Sequence, residues 1–187
     1  MHEIEPFFNW RHLYTAEDDE QSPFFGKEHD EFVYRQKIYN YFIHPQWDYF
    51  GSENLYMKIL YTDYQYGFVI IELLGEWNDC IENDVMNLKR EIIDVLIDNG
   101  IRKFILIAEN VLNFHQSDDC YYEEWQEDIA DDGGWIVCLN MPQQTSDEFI
   151  NAGLNQFVTL LESANWRTFM PLPFFKKVDN EMIRVLE

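Results

Sequence analysis

Between residues 115 and 132 the chain gathers His115, Asp118, Asp119, Glu123, Glu124, Asp131 and Asp132. These groups could ligate a cation or move a proton. Hard cations take several oxygen ligands from one loop. Neither Asp118-Asp119 nor Asp131-Asp132-Gly133-Gly134 has the alternating acids of an EF-hand, however, and His115 lacks a second His at ligand spacing. Acids also belong at helix starts, where they oppose the dipole. No metal site and no cofactor are therefore expected. A small metal-dependent hydrolase using the acidic cluster of residues 115–132 is the competing reading.

Other chemistry is thinner still. The sequence has no Gly-rich phosphate loop, nucleophile elbow or dinucleotide fingerprint, so no catalytic residue is assigned and a non-enzymatic role is expected. Cys80, Cys120 and Cys138 are not spaced as Cys-x-x-Cys and read as small core residues of a reducing compartment. His44-Pro45-Gln46-Trp47-Asp48 and Trp77-Asn78-Asp79 mix Trp with polar groups as ligand sites do, but turn and cap sequences look the same.

Charge narrows the partners. The chain carries 13 basic and 35 acidic residues, a net charge of −22. From Lys103 to Arg167 no Lys or Arg intervenes, while twelve acids fall between Glu109 and Glu162. Phosphate backbones are held by basic side chains through counterion release, so nucleic acid is excluded, and anionic membranes are disfavoured on the same ground. Such a surface either solubilises the protein or docks a basic partner. No apolar run reaches the ~20 residues of a membrane span. The opening Met1-His2-Glu3-Ile4-Glu5-Pro6 shows no basic segment followed by an apolar run. A cytoplasmic protein is the expectation.

The elements that would position these groups follow from periodicity. Of the 32 aromatic residues, 18 lie in residues 1–66. Phe7, Phe8, Trp10, Phe24 and Phe25 stand among turn formers and acids, as in an irregular arm pinned by rings. Residues 32–43 read as a strand. Residues 55–61 alternate as a half-buried strand, and Phe68–Leu74 is apolar throughout, so the two pair as a hairpin. A helix over 79–99, capped by Asn78 or Asp79, carries Ile81, Val85, Leu88, Ile92, Val95 and Leu96 on one stripe. Residues 104–108 and 135–139 read as buried central strands. Between them a helix from Asp119 to Ile129 turns Tyr121, Trp125 and Ile129 inward. Thr145 and Glu148 have capping-box spacing for a third helix, residues 157–161 form a last strand, Pro171 and Pro173 mark a loop, and Val178–Leu186 forms a terminal helix capped by Asp179. Strands alternating with helices imply an α/β mixed sheet with helices packed on it.

Over residues 55–161 this order resembles the STAS family, the sulphate-transporter and anti-sigma-factor-antagonist domain. The resemblance rests on Tyr66–Glu76 as the second strand with its Gly-Glu end, Gly100–Ile107 as the strand before the key loop, Gly133–Val137 as the entry to the next strand, and Ala152–Phe157 as the turn to the last one. It implies a phosphoacceptor or helix-cap loop at Gln116-Ser117-Asp118-Asp119. Ser117 stands at the serine position, while Gln116, Asp118 and Asp119 depart from the family's Asp-Ser-(Ser or Thr)-Gly. A phosphate there would sit beside two carboxylates, so Asp118 and Asp119 are equally readable as a permanent negative charge, and Ser117 or Asp119 as a plain cap. It also implies a partner-docking face made by His115, Tyr121, Tyr122, Glu124 and Trp125.

The sequence thus predicts a STAS-like domain over residues 51–187, with an N-terminal arm and strand of residues 1–50 packed on it. Its expected role is a regulatory or scaffold interaction module with an unidentified, basic protein partner, assembled as a homodimer. A lipid or small-ligand carrier remains a third alternative, by fold analogy alone.

Overall fold

The structure is a computed structural model that describes residues 4–186. Met1–Glu3, part of the stretch read above for a leader, and Glu187 lie outside the described residues.

Alternating and continuous apolar runs become a five-stranded sheet of order β3-β4-β5-β6-β7. Its strands are β3 (Leu55–Asp63), β4 (Phe68–Asn78), β5 (Lys103–His115), β6 (Trp135–Leu139) and β7 (Thr159–Leu161). β3 and β4 form an antiparallel hairpin, and every later neighbour is parallel. Parallel neighbours need crossovers, which the helices supply. α1 (Asp84–Leu88) runs through a π turn (Lys89–Ile93) into α2 (Asp94–Asp98). α3 (Cys120–Ala130) and α4 (Gln143–Asn151) follow, and α5 (Pro171–Leu186) closes the described chain. The fold is α/β, with a mixed sheet and helices packed on it, in the element order that the STAS resemblance implies.

Because side chains alternate along a strand, the sheet has two apolar faces. Val69, Ile71, Leu73, Phe104, Leu106, Ile136 and Cys138 pack against α1 to α4. Phe68, Ile70, Ile105, Ile107, Val137 and Leu139 pack against Phe174, Phe175, Val178 and Met182 of α5 and against Trp10 of the arm. The arm is tied down by polar bonds as well as rings. The Phe7 N–H donates to Glu72 Oε2 at 2.8 Å, Trp10 Nε1 to the Phe169 carbonyl at 2.9 Å, and Trp47 Nε1 to the Ile4 carbonyl at 2.9 Å. Gly75 lets the chain before β3 pass close to β4, since a Cβ there would overlap the Asn54 carbonyl oxygen and its φ is +128°.

Several local expectations are corrected. Residues 32–43 hold only a short ribbon, β1 (Lys37–Ile38) paired with β2 (Tyr41–Phe42). The first helix starts at Asp84 rather than 79, leaving Ile81 76% exposed in the preceding loop. On α3 the inward residue is Tyr122, not Tyr121. Thr145 does not cap α4, because Pro142 is the N-cap and the Thr145 hydroxyl donates to the Val111 carbonyl at 3.0 Å. Pro171 opens α5 instead of marking a loop, as Pro suits the first turn, whose N–H groups have no intrahelical partner. Asp179 caps nothing; it binds Lys103 Nζ at 2.6 Å and Trp135 Nε1 at 3.1 Å.

Candidate docking site

β5 runs seven residues past its expected end. β6 stops pairing with it at Ile107–Leu139, while β4 stays paired out to Asn78–His115. The two strands thus leave the sheet as a ribbon and deliver two loops side by side, residues 79–83 and 116–119. The Asp79 N–H donates to the His115 carbonyl at 2.9 Å, and the Cys80 thiol donates to the Gln116 carbonyl. His115 Nε2 lies 3.0 Å from Glu76 Oε1. A shallow, open depression lies here, lined by Cys80, His115, Gln116, Glu148 and Asn151.

Two buried carboxylates hold the first loop. Asp79 accepts from Trp77 Nε1 at 2.9 Å, the Val85 N–H at 2.8 Å and the Tyr122 hydroxyl at 2.6 Å. It thereby caps α1 from outside the helix and ties it to α3. Asp84 Oδ2 accepts the Asn78 N–H at 2.7 Å, while its Oδ1 is buried without a hydrogen-bond partner among the described residues. Burial pushes Asp79 up to about 6 and Asp84 up to about 7, against the hydrogen bonds that favour their ionised forms.

The second loop enters α3. Ser117, Asp118 and Asp119 are exposed, and Asp119 is the N-cap residue by position but makes no side-chain cap bond. Asp118 takes that role instead, its Oδ1 accepting the Cys120 N–H at 3.2 Å. Hydrogen bonds from the Cys120 thiol and amide hold Asp118 below the usual carboxylate range. A fixed negative charge therefore already occupies the positive end of the helix.

α3 itself sorts its side chains by helical period. Tyr122, Trp125 and Ile129 are fully buried. Tyr122 and Trp125 therefore leave the docking face expected from sequence: Tyr122 stacks on Trp77, Trp125 meets Phe104 edge to face, and both serve the core. Glu124 is only half-buried, yet it is occupied, because Arg90 forks it through two bonds of 2.6 and 2.8 Å. Its carboxyl is lowered by the Arg90 hydrogen bond. Asp128 is engaged by Lys89 at 2.8 Å, and Asp94 by Lys89 and Arg90. Burial opposes the charge on Lys89, but Asp128 and Asp94 hold its ammonium protonated. The π turn is what sets Lys89 beneath α3 and Arg90 beside it, where Arg90 also covers Tyr121 at 5.4 Å.

What remains outward is Glu123, Glu127 and Asp131, all exposed and in no ion pair among the described residues. His115 lies instead beside the depression with Glu76, and Tyr121 lies under Arg90. The sequence reading missed the composition of the outward stripe, although the spacing of Tyr122, Trp125 and Ile129 carries the signal: once those three point in, residues 123, 127 and 131 must point out.

A different cluster could hold an ion by proximity alone. Glu17, His29 and Asp48 bring their ligand atoms within 4.8 Å of one another. Lysines already fill that place, since Lys58 contacts both carboxylates and Lys27 Nζ lies 2.9 Å from Asp48 Oδ1. Burial would raise Asp48, yet the His29 bond and both lysines keep it below the ordinary range. These residues form an ion-pair network that fastens the arm to β3.

Among the described residues no helix is long and apolar enough to cross a membrane. No protein-family model matches the sequence, and no curated protein matches it. Solved structures similar to it include the anti-sigma factor antagonist SpoIIAA in its unphosphorylated form, at 16% identity over 58% of this chain and 89% of that one, with a TM-score of 0.46. The Bacillus cell fate determinant SpoIIAA in its phosphorylated form is 15% identical over 58% and 92%, at 0.42. A candidate anti-sigma factor antagonist of Thermotoga maritima is 18% identical over 58% and 86%, also at 0.42.

Proposed function

We propose that this chain is a non-enzymatic regulatory or scaffold module that docks a basic protein partner on the outer stripe of α3, Glu123, Glu127 and Asp131, with the exposed loop Ser117–Asp119 at its head. The observation that carries this reading is the sorting of acids on one helix. Glu124 and Asp128 are neutralised by Lys89 and Arg90, whereas the outward three pair with no cation among the described residues. Clustered unpaired charge on a rigid element steers an oppositely charged partner and orients it. The open depression beside residues 115–116 suits a surface contact better than an enclosed ligand.

In the family that the sequence resembles, a serine at this loop is switched by phosphorylation. Here Asp118 already supplies negative charge at the helix entrance, so we read the face as constitutively charged. Ser117, exposed beside it, is the position where a phosphate would add to that charge. The setting we propose is the cytoplasm, and the assembly is a homodimer.

The test is affinity capture from the native cell with wild-type protein and with a Glu123→Lys/Glu127→Lys/Asp131→Lys variant. A specific partner should be captured by wild type and lost, or weakened at least tenfold, with the variant at an unchanged thermal midpoint. Equal capture by both proteins would remove α3 from the interface.

A further inference from the structure

The arm carries a second surface unlike the first. Along residues 32–49 the rings of Phe32, Tyr34, Tyr39, Tyr41, Phe42 and Tyr49 are all substantially exposed, Phe32 by 92% and Tyr41 by 60%. At ~200 Å² per ring side chain these exposures amount to roughly 700 Å² of aromatic surface. Exposed apolar surface on this scale marks an interaction site. Lys37 Nζ lies 4.5 Å from the Phe42 ring centre, the Lys37 carbonyl accepts the Tyr56 hydroxyl, and buried Tyr56 meets the exposed Tyr49 in a tilted contact at 6.3 Å. The tip is also strained. Tyr39 sits at φ +53°, a region a bulky residue seldom adopts, pinned there by its N–H to Asn54 Oδ1 at 3.1 Å. Strain of this kind persists where the surroundings hold a side chain in a required place.

We infer that the exposed rings on and beside the β1–β2 ribbon, Phe42 on the side of Lys37 and Tyr41 on the side of Ile38, form the contact surface of a two-fold dimer with a second copy of the chain. The inference rests on the homodimer named above and adds the surface that makes it. Three observations select a second copy as occupant. First, the exposed aromatic area is close to the ~800 Å² per partner of a standard interface. Second, the face is self-complementary, because it offers both rings and cations. Arg35 and Lys37 are its exposed charges, so a two-fold axis sets the cations of one copy against the rings of the other. Third, the stretch is nearly neutral within a chain of net charge −22. Its only acid, Asp48, is buried and already paired with Lys27, His29 and Lys58. Two copies therefore meet where their mutual repulsion is weakest.

The dimer and the α3 contact then respond oppositely to salt. Screening relieves repulsion between two highly acidic copies and tightens the dimer, whereas it weakens an acidic stripe holding a basic partner.

Sedimentation equilibrium of the full chain across the micromolar range, at low and at physiological salt, tests this. The expected result is a species of twice 22.6 kDa whose dissociation constant falls as salt is added. A Tyr41→Glu/Phe42→Glu variant should raise that constant by about 100-fold or more with an unchanged thermal midpoint, since both side chains are exposed. Ile183→Glu/Leu186→Glu, on the exposed side of α5, should leave it unchanged. A monomeric wild-type protein, a dimer indifferent to the Tyr41/Phe42 variant, or open-ended association beyond two copies would each overturn the assignment. The α3 reading fails separately: it is lost when the Glu123/Glu127/Asp131 variant still captures its partner, whatever the mass of either protein.

Discussion

Replacing Asp84 with Asn should be nearly neutral for stability at pH 5 and clearly stabilising at pH 8. Asp84 is fully buried at the start of α1, with one oxygen on the Asn78 N–H and the other unpartnered among the described residues. Folded Asp84 holds its proton up to about pH 7, whereas the unfolded side chain ionises near 3.8. Between those values the native state binds more protons than the unfolded state, so stability falls as pH rises. At 1.36 kcal/mol per pH unit, the full loss above pH 7 has an upper bound of about 4 kcal/mol. Asn keeps the acceptor for Asn78 and stays neutral at every pH. Its amide must be accommodated where the unpartnered oxygen stood, at about 1 kcal/mol. By pH 5, above the unfolded value of 3.8, about 1.6 kcal/mol of that loss has already occurred, so urea unfolding should find the two proteins within about 1 kcal/mol of each other at pH 5 and the variant ahead by up to about 3 kcal/mol at pH 8. Glu72, pushed up to about 7 by burial, and Asp79, up to about 6, slope the same way; Glu72 does so in both proteins, and Asp79 differs between them only as far as it feels the Asp84 charge. Parallel curves for wild type and Asp84→Asn would refute the reasoning, because they would mean that Asp84 is ionised and solvated in the folded state.

Two further substitutions probe the frame that carries the site. Trp10→Ala, at a side chain only 2% exposed between the sheet and α5, should cost about 3–5 kcal/mol in urea unfolding; a loss under 1 kcal/mol would mean that the arm is a loose appendage. Gly75→Ala forces a Cβ into the Asn54 carbonyl at a positive φ and should destabilise by about 3 kcal/mol or more, with wild-type stability contradicting the close approach.

The sheet was legible because its central strands are apolar on both faces. Residues 68–74, 104–108 and 135–139 are strands with the neighbours that alternation with helices implies. The continuation of β5 through Glu109, Asn110 and Asn113 was hidden, since those residues disfavour strands intrinsically. Tertiary bonds override that preference. Asn140, Trp166 and Arg167 donate to Glu109 at 2.8, 2.7 and 2.6 Å. The start of the first helix was misplaced for a related reason: Asp79 does cap it, but across a loop of several residues, from a position no local pattern encodes. At the site, Gln116–Asp119 was located correctly as a loop before a helix. Of the residues expected on a docking face, Tyr122 and Trp125 are buried, because Tyr121 and Tyr122 are indistinguishable by type and only the core decides which turns in. That Arg90 and Lys89 occupy Glu124 and Asp128 depends on a π turn, which leaves no mark in a periodicity scan.

The central claim is that a protein partner lies along α3, and hydrogen exchange on the captured complex tests it most directly. Amides of the loop 116–119 and of the exposed turns of α3, compared with the free protein, should gain protection on binding, and the same amides should show none in the Glu123→Lys/Glu127→Lys/Asp131→Lys variant mixed with that partner. Protection confined to other segments, with residues 116–131 exchanging as in the free protein, would contradict the account.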